Sequence, residues 1–132
     1  MAAQVPENFM DLIREPAFAN LATLMKDGSP QVTPVWFDFD GVHVRINSAK
    51  GRIKDQNMRN HPRVALAIMD PRNPYRYMQI RGAVTEITEQ GAEEHIDALA
   101  KKYLKVDRYP HRSANEVRVM YKITPERIST MG

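Results

Sequence analysis

The sequence predicts a mainly β protein: six or so strands, joined largely by hairpins, curled into a small closed or half-open antiparallel barrel. Three observations carry that prediction. Short apolar runs alternate with polar residues at the two-residue period of a strand, most cleanly in Val42-His-Val-Arg-Ile-Asn47. Clusters of Gly, Pro, Asp and Asn punctuate those runs. Only one long segment has a helical period, and hairpin-linked strands with few helices bury their apolar faces best by closing on themselves. A length of 132 residues predicts a single domain over 1–132.

The elements follow in order along the chain. Glu7 to Arg14 carries Phe9, Met10, Leu12 and Ile13 and predicts a short amphipathic helix ended before Pro16. Ala17 to Met25 alternates as a strand, and Lys26-Asp-Gly-Ser-Pro30 turns it into a second strand, Gln31 to Asp38. Pro34 has no N–H to give to a ladder, so it predicts an edge or a bulge there. Phe37-Asp-Phe-Asp-Gly41 turns again into the strand Val42 to Asn47, with Val42, Val44 and Ile46 facing inward and His43 and Arg45 outward. A short basic helix comes next, then a strand from Arg63 to Met69 and a Pro-rich loop from Asp70 to Pro74. Tyr75 to Thr88 reads as a long strand in which Gly82 marks a bend or bulge. Thr88 or Glu89 opens the one long helix, to about Leu104, with Ile96, Leu99 and Ala100 on its inner face. A polar connection from Lys105 leads to a last strand, Glu116 to Ile123, and a short tail, Pro125 to Ile128.

Composition narrows the function. The chain is 42% hydrophobic and 27% charged, ordinary for a globular protein, and it has no cysteine. Disulfides, thiol nucleophiles and thiolate metal sites are thereby excluded. The longest apolar run, Val64 to Met69, is far too short to span a bilayer, and the opening residues lack the basic-then-apolar pattern of a secretory signal. A cytoplasmic protein without a membrane partner is the expectation. The net charge of +3 is mild, and bases interleave with acids except in Lys50 to Arg63 and Lys101 to Arg118. That pattern points to a local anion site, not to a long nucleic-acid track.

Four histidines, His43, His61, His95 and His111, lie without metal-ligand spacing, so no metal site is expected and surface or hydrogen-bonded roles are simpler. No nucleophile elbow or Gly-rich phosphate loop is present. Asp38 and Asp40 fall in a turn and Glu93 and Glu94 on a helix, where solvation explains them. The catalytic residues therefore stay unknown, and such a chain either binds something or takes its chemistry from a cofactor. The stretch Asn47 to Asp70 is more telling. Lys50, Arg52 and Lys54 crowd the start of a helix, already the positive end of its dipole, at about a few tenths of a kcal/mol each. An anion would explain them. Lys50 and Lys54 at i and i+4 would share a face, Ser48 would cap, Gly51 would allow close approach, and free amides would complete a phosphate or carboxylate pocket. The plainer alternative is a solvated basic face. Of Trp36 and Phe37, one must face inward and the other outward. Tyr75, Tyr77 and Gln79 share one strand face with Arg76 opposite, as core and edge residues or as flanks for a heteroaromatic ring.

In their order, the segments LATLMKDGSPQVTPVWFDFDG, NSAKGRIKDQNMRNHPRVALAIMDPRNPYRYMQIRGAVTEIT and GAEEHIDALAKKYLKVDRYP resemble the pyridoxamine-5′-phosphate-oxidase-like flavin and deazaflavin oxidoreductases. Within them the chain is most similar to the F420-dependent branch, FDOR-B, over about Phe18 to Ile128. The resemblance implies a split β-barrel of the FMN-binding-protein type, forming a homodimer with a cofactor groove at each end of the interface. It implies F420 as cofactor, with FMN as the alternative. Arg52 and Lys54 match positions that hold the cofactor phosphate, with Lys50 and Ser48 beside them. The strand segments Gln31, Thr33, Pro34, Val35, Trp36 and Asn47, Ser48, Ala49 match those that line the ring, and Tyr77 and Gln79 match the neighbouring strand. The longer C-terminal substrate segment of true pyridoxamine phosphate oxidases, with its Arg and His, is missing, so that oxidase activity is not expected. The resulting expectation is a reductase passing a hydride from reduced F420 to a small organic acceptor. The alternatives are an FMN flavoprotein, a non-catalytic cofactor-binding protein, and a single-stranded nucleic-acid-binding barrel, which the mild charge disfavours.

Overall fold

One seven-stranded sheet organises the chain, and the computed structural model describes residues 2–132. Its strands are β1 (Ala19–Leu24), β2 (Pro30–Val35), β3 (Asp38–Phe39), β4 (Val44–Ala49), β5 (Arg63–Asp70), β6 (Asn73–Thr88) and β7 (Arg118–Met131). They lie in the order β2-β1-β5-β6-β7-β4-β3, every neighbouring pair antiparallel. A 3₁₀ turn, Glu7–Phe9, precedes the helices α1 (Asp11–Arg14), α2 (Ile53–Asn60) and α3 (Ala92–Leu104). In a flat sheet of this order β2 and β4 would lie five strand spacings apart, about 24 Å. Residues of both line one cavity, so the sheet curls until its two ends nearly meet. Leu21, Phe37, Ile46, Leu66, Ile68, Met78, Ile80, Tyr121 and Ile123 fill the inside of that curl, all at most 1% exposed.

Several expected details change, each for a local reason. Val42 is 54% exposed instead of inward, because Asp40 ties the backbone N–H groups of Val42 and His43 into a tight turn and the strand starts only at Val44. The Pro-rich loop is a short hairpin turn: Asp70 already pairs with Asn73, and its carboxylate accepts from the Arg72 N–H. The supposed tail after Pro125 is strand, since β7 runs on to Met131 against β6. Pro125 is tolerated there because it faces Gly82 at a register shift, where no ladder hydrogen bond is owed. Pro34 sits on the edge strand β2, as its missing N–H requires. Gly82 is needed for close approach, because a Cβ would lie 2.2 Å from the Thr124 carbonyl oxygen. The long helix begins three or four residues later than expected, because Glu89 to Gly91 form a turn that ends in the left-handed N-cap Gly91, at φ 78°.

Candidate functional site

Where the curled sheet's ends approach each other, a cavity of about 280 Å³ opens under α3. Phe18, Pro34, Val35 and Trp36 come from the β1–β2 side and Asn47, Arg52 and Lys54 from β4 and the start of α2. Ile96 and Leu99 come from α3, and Tyr109, His111 and Arg118 from the segment leading into β7. The set combines cationic and aromatic side chains, and the two kinds meet where the Arg118 guanidinium lies over the Tyr109 ring. Trp36 stacks on Tyr103 at 5.2 Å with the rings nearly parallel, and Tyr109 meets Trp36 edge-on at 6.2 Å. Phe37 is fully buried, so the adjacent pair divides as strand alternation demands, with Trp36 on the cavity side.

Among the cationic residues, Arg52 is the N-cap of α2, and no side chain caps the helix. The amides of Ile53, Lys54 and Asp55 thus begin the helix without intrahelical partners. The burial of Lys54 lowers its ammonium below the ordinary lysine range, and repulsion from Arg52 and Arg118 lowers it further. No carboxylate is among the groups acting on it. Glu116 is shared by Arg52 at 2.6 Å and Arg118 at 3.0 Å, so two of the three cations divide one acid and Lys54 has none. Lys50 takes no part as expected: it lies in the turn before α2, not on a shared helix face with Lys54, and pairs with Glu89 at 3.3 Å. Ser48 does not cap; it faces the core with Val44 and Ile46, its buried Oγ without a hydrogen-bond partner. The loop is tied by Asp55, whose carboxylate accepts from the Gly51 N–H at 2.8 Å, from Arg59 and from the Tyr121 hydroxyl. Burial raises the Asp55 carboxyl, but those three donors outweigh it and hold it below the ordinary range. Gly51 is required by its backbone, at φ 93°, and a Cβ there would meet nothing within 4 Å.

The structure thus brings together Pro34, Val35, Trp36, Asn47, Arg52 and Lys54 of the residues singled out in the sequence. Others lie elsewhere. Gln31 accepts from Thr23 at 3.2 Å, Thr33 keeps its Oγ1 buried and unpaired, and Ala49 is buried at the end of β4. Tyr77 and Gln79 sit on the outward face of β6, with Met78 and Ile80 turned to the core. Asp38, expected to be solvated, instead takes two hydrogen bonds from Arg45, each 2.8 Å, and lies 3.2 Å from the ring of His95. Sequence reasoning missed Phe18, Tyr109, His111 and Arg118 as cavity residues. One signal existed: Arg118 closes the second basic stretch and sits before an apolar strand run, where a charge has to be explained.

The sequence pattern described as pyridoxamine 5′-phosphate oxidase matches residues 5–132. The chain belongs to that family. Its curled seven-stranded sheet is accordingly the split barrel of the pyridoxamine 5′-phosphate oxidase fold. A solved structure described as an F420 reductase is 33% identical, with a TM-score of 0.83, covering 95% of this chain and 98% of that one. A conserved hypothetical protein of Mycobacterium tuberculosis is 21% identical at TM-score 0.78, covering 98% and 86%. General Stress Protein 26 of Bacillus anthracis is 17% identical at TM-score 0.70, covering 95% and 92%. These last two are similar in fold. No curated protein sequence matches the chain. Among the described residues, no helix is long and apolar enough to cross a membrane, and no group of three or more His, Asp and Glu is placed to hold a metal ion.

Proposed function

We propose that this chain is an F420-dependent reductase that passes a hydride from the reduced deazaflavin to a small organic acceptor. The observation that carries the proposal is a single cavity lined both by the cations Arg52, Lys54 and Arg118 and by the aromatic rings of Trp36 and Tyr109. The family and the 33% identity to an F420 reductase support a flavin or deazaflavin oxidoreductase. The residues fit such a group. Lys54 is half-buried among like charges with no acid to answer it, which an anionic phosphate would relieve. When bound, the deazaflavin supplies the hydride. Arg52 and Lys54 hold the phosphate beside the open amides of α2, and Val35, Trp36, Leu99 and Tyr109 flank the ring and keep water from it. The protein's task is then alignment of donor and acceptor, which needs no side-chain acid or base in the cavity wall.

We further propose a cytoplasmic homodimer in which the whole chain acts as one domain. Two strands, β1 and β5, separate Gln79 from Pro34 along the register Pro34–Asn20–Ala67–Gln79. Tyr77 and Gln79 therefore contribute to a partner's cavity, not to their own.

The test is a pair of fluorescence titrations, with F420 and with FMN, followed by oxidation of reduced F420 against a panel of acceptors. Tighter binding of F420 with acceptor-dependent oxidation is the expected result. Yellow FMN retained on purification, with no oxidation of reduced F420, would replace the deazaflavin by FMN. Tight F420 binding without turnover of any acceptor would make the chain a carrier.

A further inference from the structure

We propose that Arg118 is a pre-set anion ligand of the cavity and that Asn47 and His95 are its positioning residues. The proposal rests on the reading of the cavity as a phosphate-binding site. Arg118 is 6% exposed, and a guanidinium so placed is costly unless its hydrogens are answered. Its Nε–H donates to Asn47 Oδ1 at 2.9 Å, Nη1 donates to Glu116 at 3.0 Å, and its plane lies 5.3 Å from the Tyr109 ring. Nη2 makes no hydrogen bond among the described residues, while the side chain lines the cavity. Three contacts thus fix the guanidinium and leave an edge of it to the cavity. Arg52 is half exposed and free to move by comparison. A ligand group held in place beforehand loses less entropy on binding.

The donors and acceptors behind Arg118 run in one direction only. Arg118 Nε can only donate, so the Asn47 carbonyl oxygen must face it. The Asn47 amide nitrogen then donates to the Ala92 carbonyl at 2.9 Å and to His95 Nδ1 at 3.1 Å. Both amide hydrogens are used, so Asn47 has none left for a ligand and acts through Arg118. His95 Nδ1 accepts, which places the ring hydrogen on Nε2, directed at Asp38 Oδ1 at 3.2 Å. Asp38 is anchored in turn by the two bonds from Arg45. Neither Asp38 nor His95 lines the cavity. A 4%-exposed histidine on the otherwise apolar inner face of α3 is thereby explained: it sets the amide that sets the guanidinium.

The experiment compares FMN with riboflavin, which differ by the phosphate alone, in wild type and variants. Arg118→Gln should weaken FMN binding about ten- to a hundredfold, the range for hydrogen bonds to charged groups, and leave riboflavin within about twofold. Arg118→Lys should recover part of the loss. His95→Leu should lower the FMN-to-riboflavin preference about tenfold, while His95→Gln, whose amide can accept from Asn47 and donate to Asp38, should restore it. An unchanged preference in Arg118→Gln, or equal losses for both ligands, would overturn the proposal while leaving the flavin reading intact. If wild type binds neither flavin, the FMN alternative fails while the F420 reading stands on its own titration, and melting with pyrophosphate decides the inference alone. A stabilisation that Arg118→Gln abolishes supports it; none, or one that persists, overturns it.

Discussion

Lys54 carries its charge at a cost. It is partly buried, and Arg52 and Arg118 repel it. Lys54→Ala should weaken cofactor binding by about 1.5–3 kcal/mol yet leave the melting point of the ligand-free protein equal or slightly higher. Its binding should also respond less steeply to salt than that of wild type, since part of the attraction is screened. A variant that melts lower without cofactor and binds it normally would make Lys54 structural. A second lysine gives a pH signature. Lys102 donates to the Phe37 carbonyl at 2.8 Å and lies over the Phe37 ring, and burial pushes its ammonium down from 10.5 to about 8, with Asp38 only partly opposing. Between those values the unfolded chain binds more protons than the folded one, so stability rises with pH across the window. The contribution is at most about 3 kcal/mol by the unit conversion, and less after screening. Urea midpoints at about pH 8 and about pH 10 should differ less in Lys102→Met than in wild type; an equal difference would exclude Lys102 as the source.

At the scale of elements, the decisive feature is how a strand hands over to a helix. The sequence placed three bases at a helix start; the folded chain keeps only Arg52 and Lys54 there, because Gly51 at φ 93° turns the backbone after Lys50. Local spacing could not reveal this, as a single left-handed residue moves every earlier side chain off the helical face. The β6–β7 pair offers the sharper test. Its register shifts beside Gly82, where the Thr124 carbonyl would stand 2.2 Å from any Cβ. Gly82→Ala should therefore cost about 3 kcal/mol, because backbone must move. Gly28→Ala, at φ 87° with nothing within 4 Å, should cost only about 1 kcal/mol, the strain of the left-handed conformation. Similar losses for the two variants in urea unfolding would refute the close-approach argument.

For the whole molecule, the open question on the sheet is its outward face. Met69, Tyr77 and Met131 are paired across β5, β6 and β7, and all are substantially exposed. They make an exposed apolar cluster of the kind that a second copy covers. Sedimentation at micromolar concentration should give a dimer. Met69→Glu, which adds a charge without touching the core, should shift it to monomer with cofactor binding lost or much weakened. A monomeric wild type that binds cofactor normally would remove the homodimer and the roles of Tyr77 and Gln79 across it. Phe37 is fully buried in its own subunit's core and is not available to such an interface.

The sequence by itself determined the mainly β class, nearly every strand, the turn at Asp27-Gly28, the edge placement of Pro34, the bulge at Gly82, the inner face of the long helix and the basic start of α2. All of these are set by neighbours a few residues away, through side-chain period, backbone freedom and missing N–H groups. Only the tertiary structure decided which residues meet. Arg118 reaches Asn47 across 71 positions, His95 reaches Asp38 across 57, and Tyr109 closes over Trp36 from what reads as a featureless polar connection. Those encounters follow from the strand order β2-β1-β5-β6-β7-β4-β3 and the curl that joins its ends, and no local pattern carries a sheet order. The burial of Ser48, the exposure of Val42 and the outward placement of Tyr77 and Gln79 have the same cause: alternation fixes which side chains share a face, and only packing fixes which face is inside.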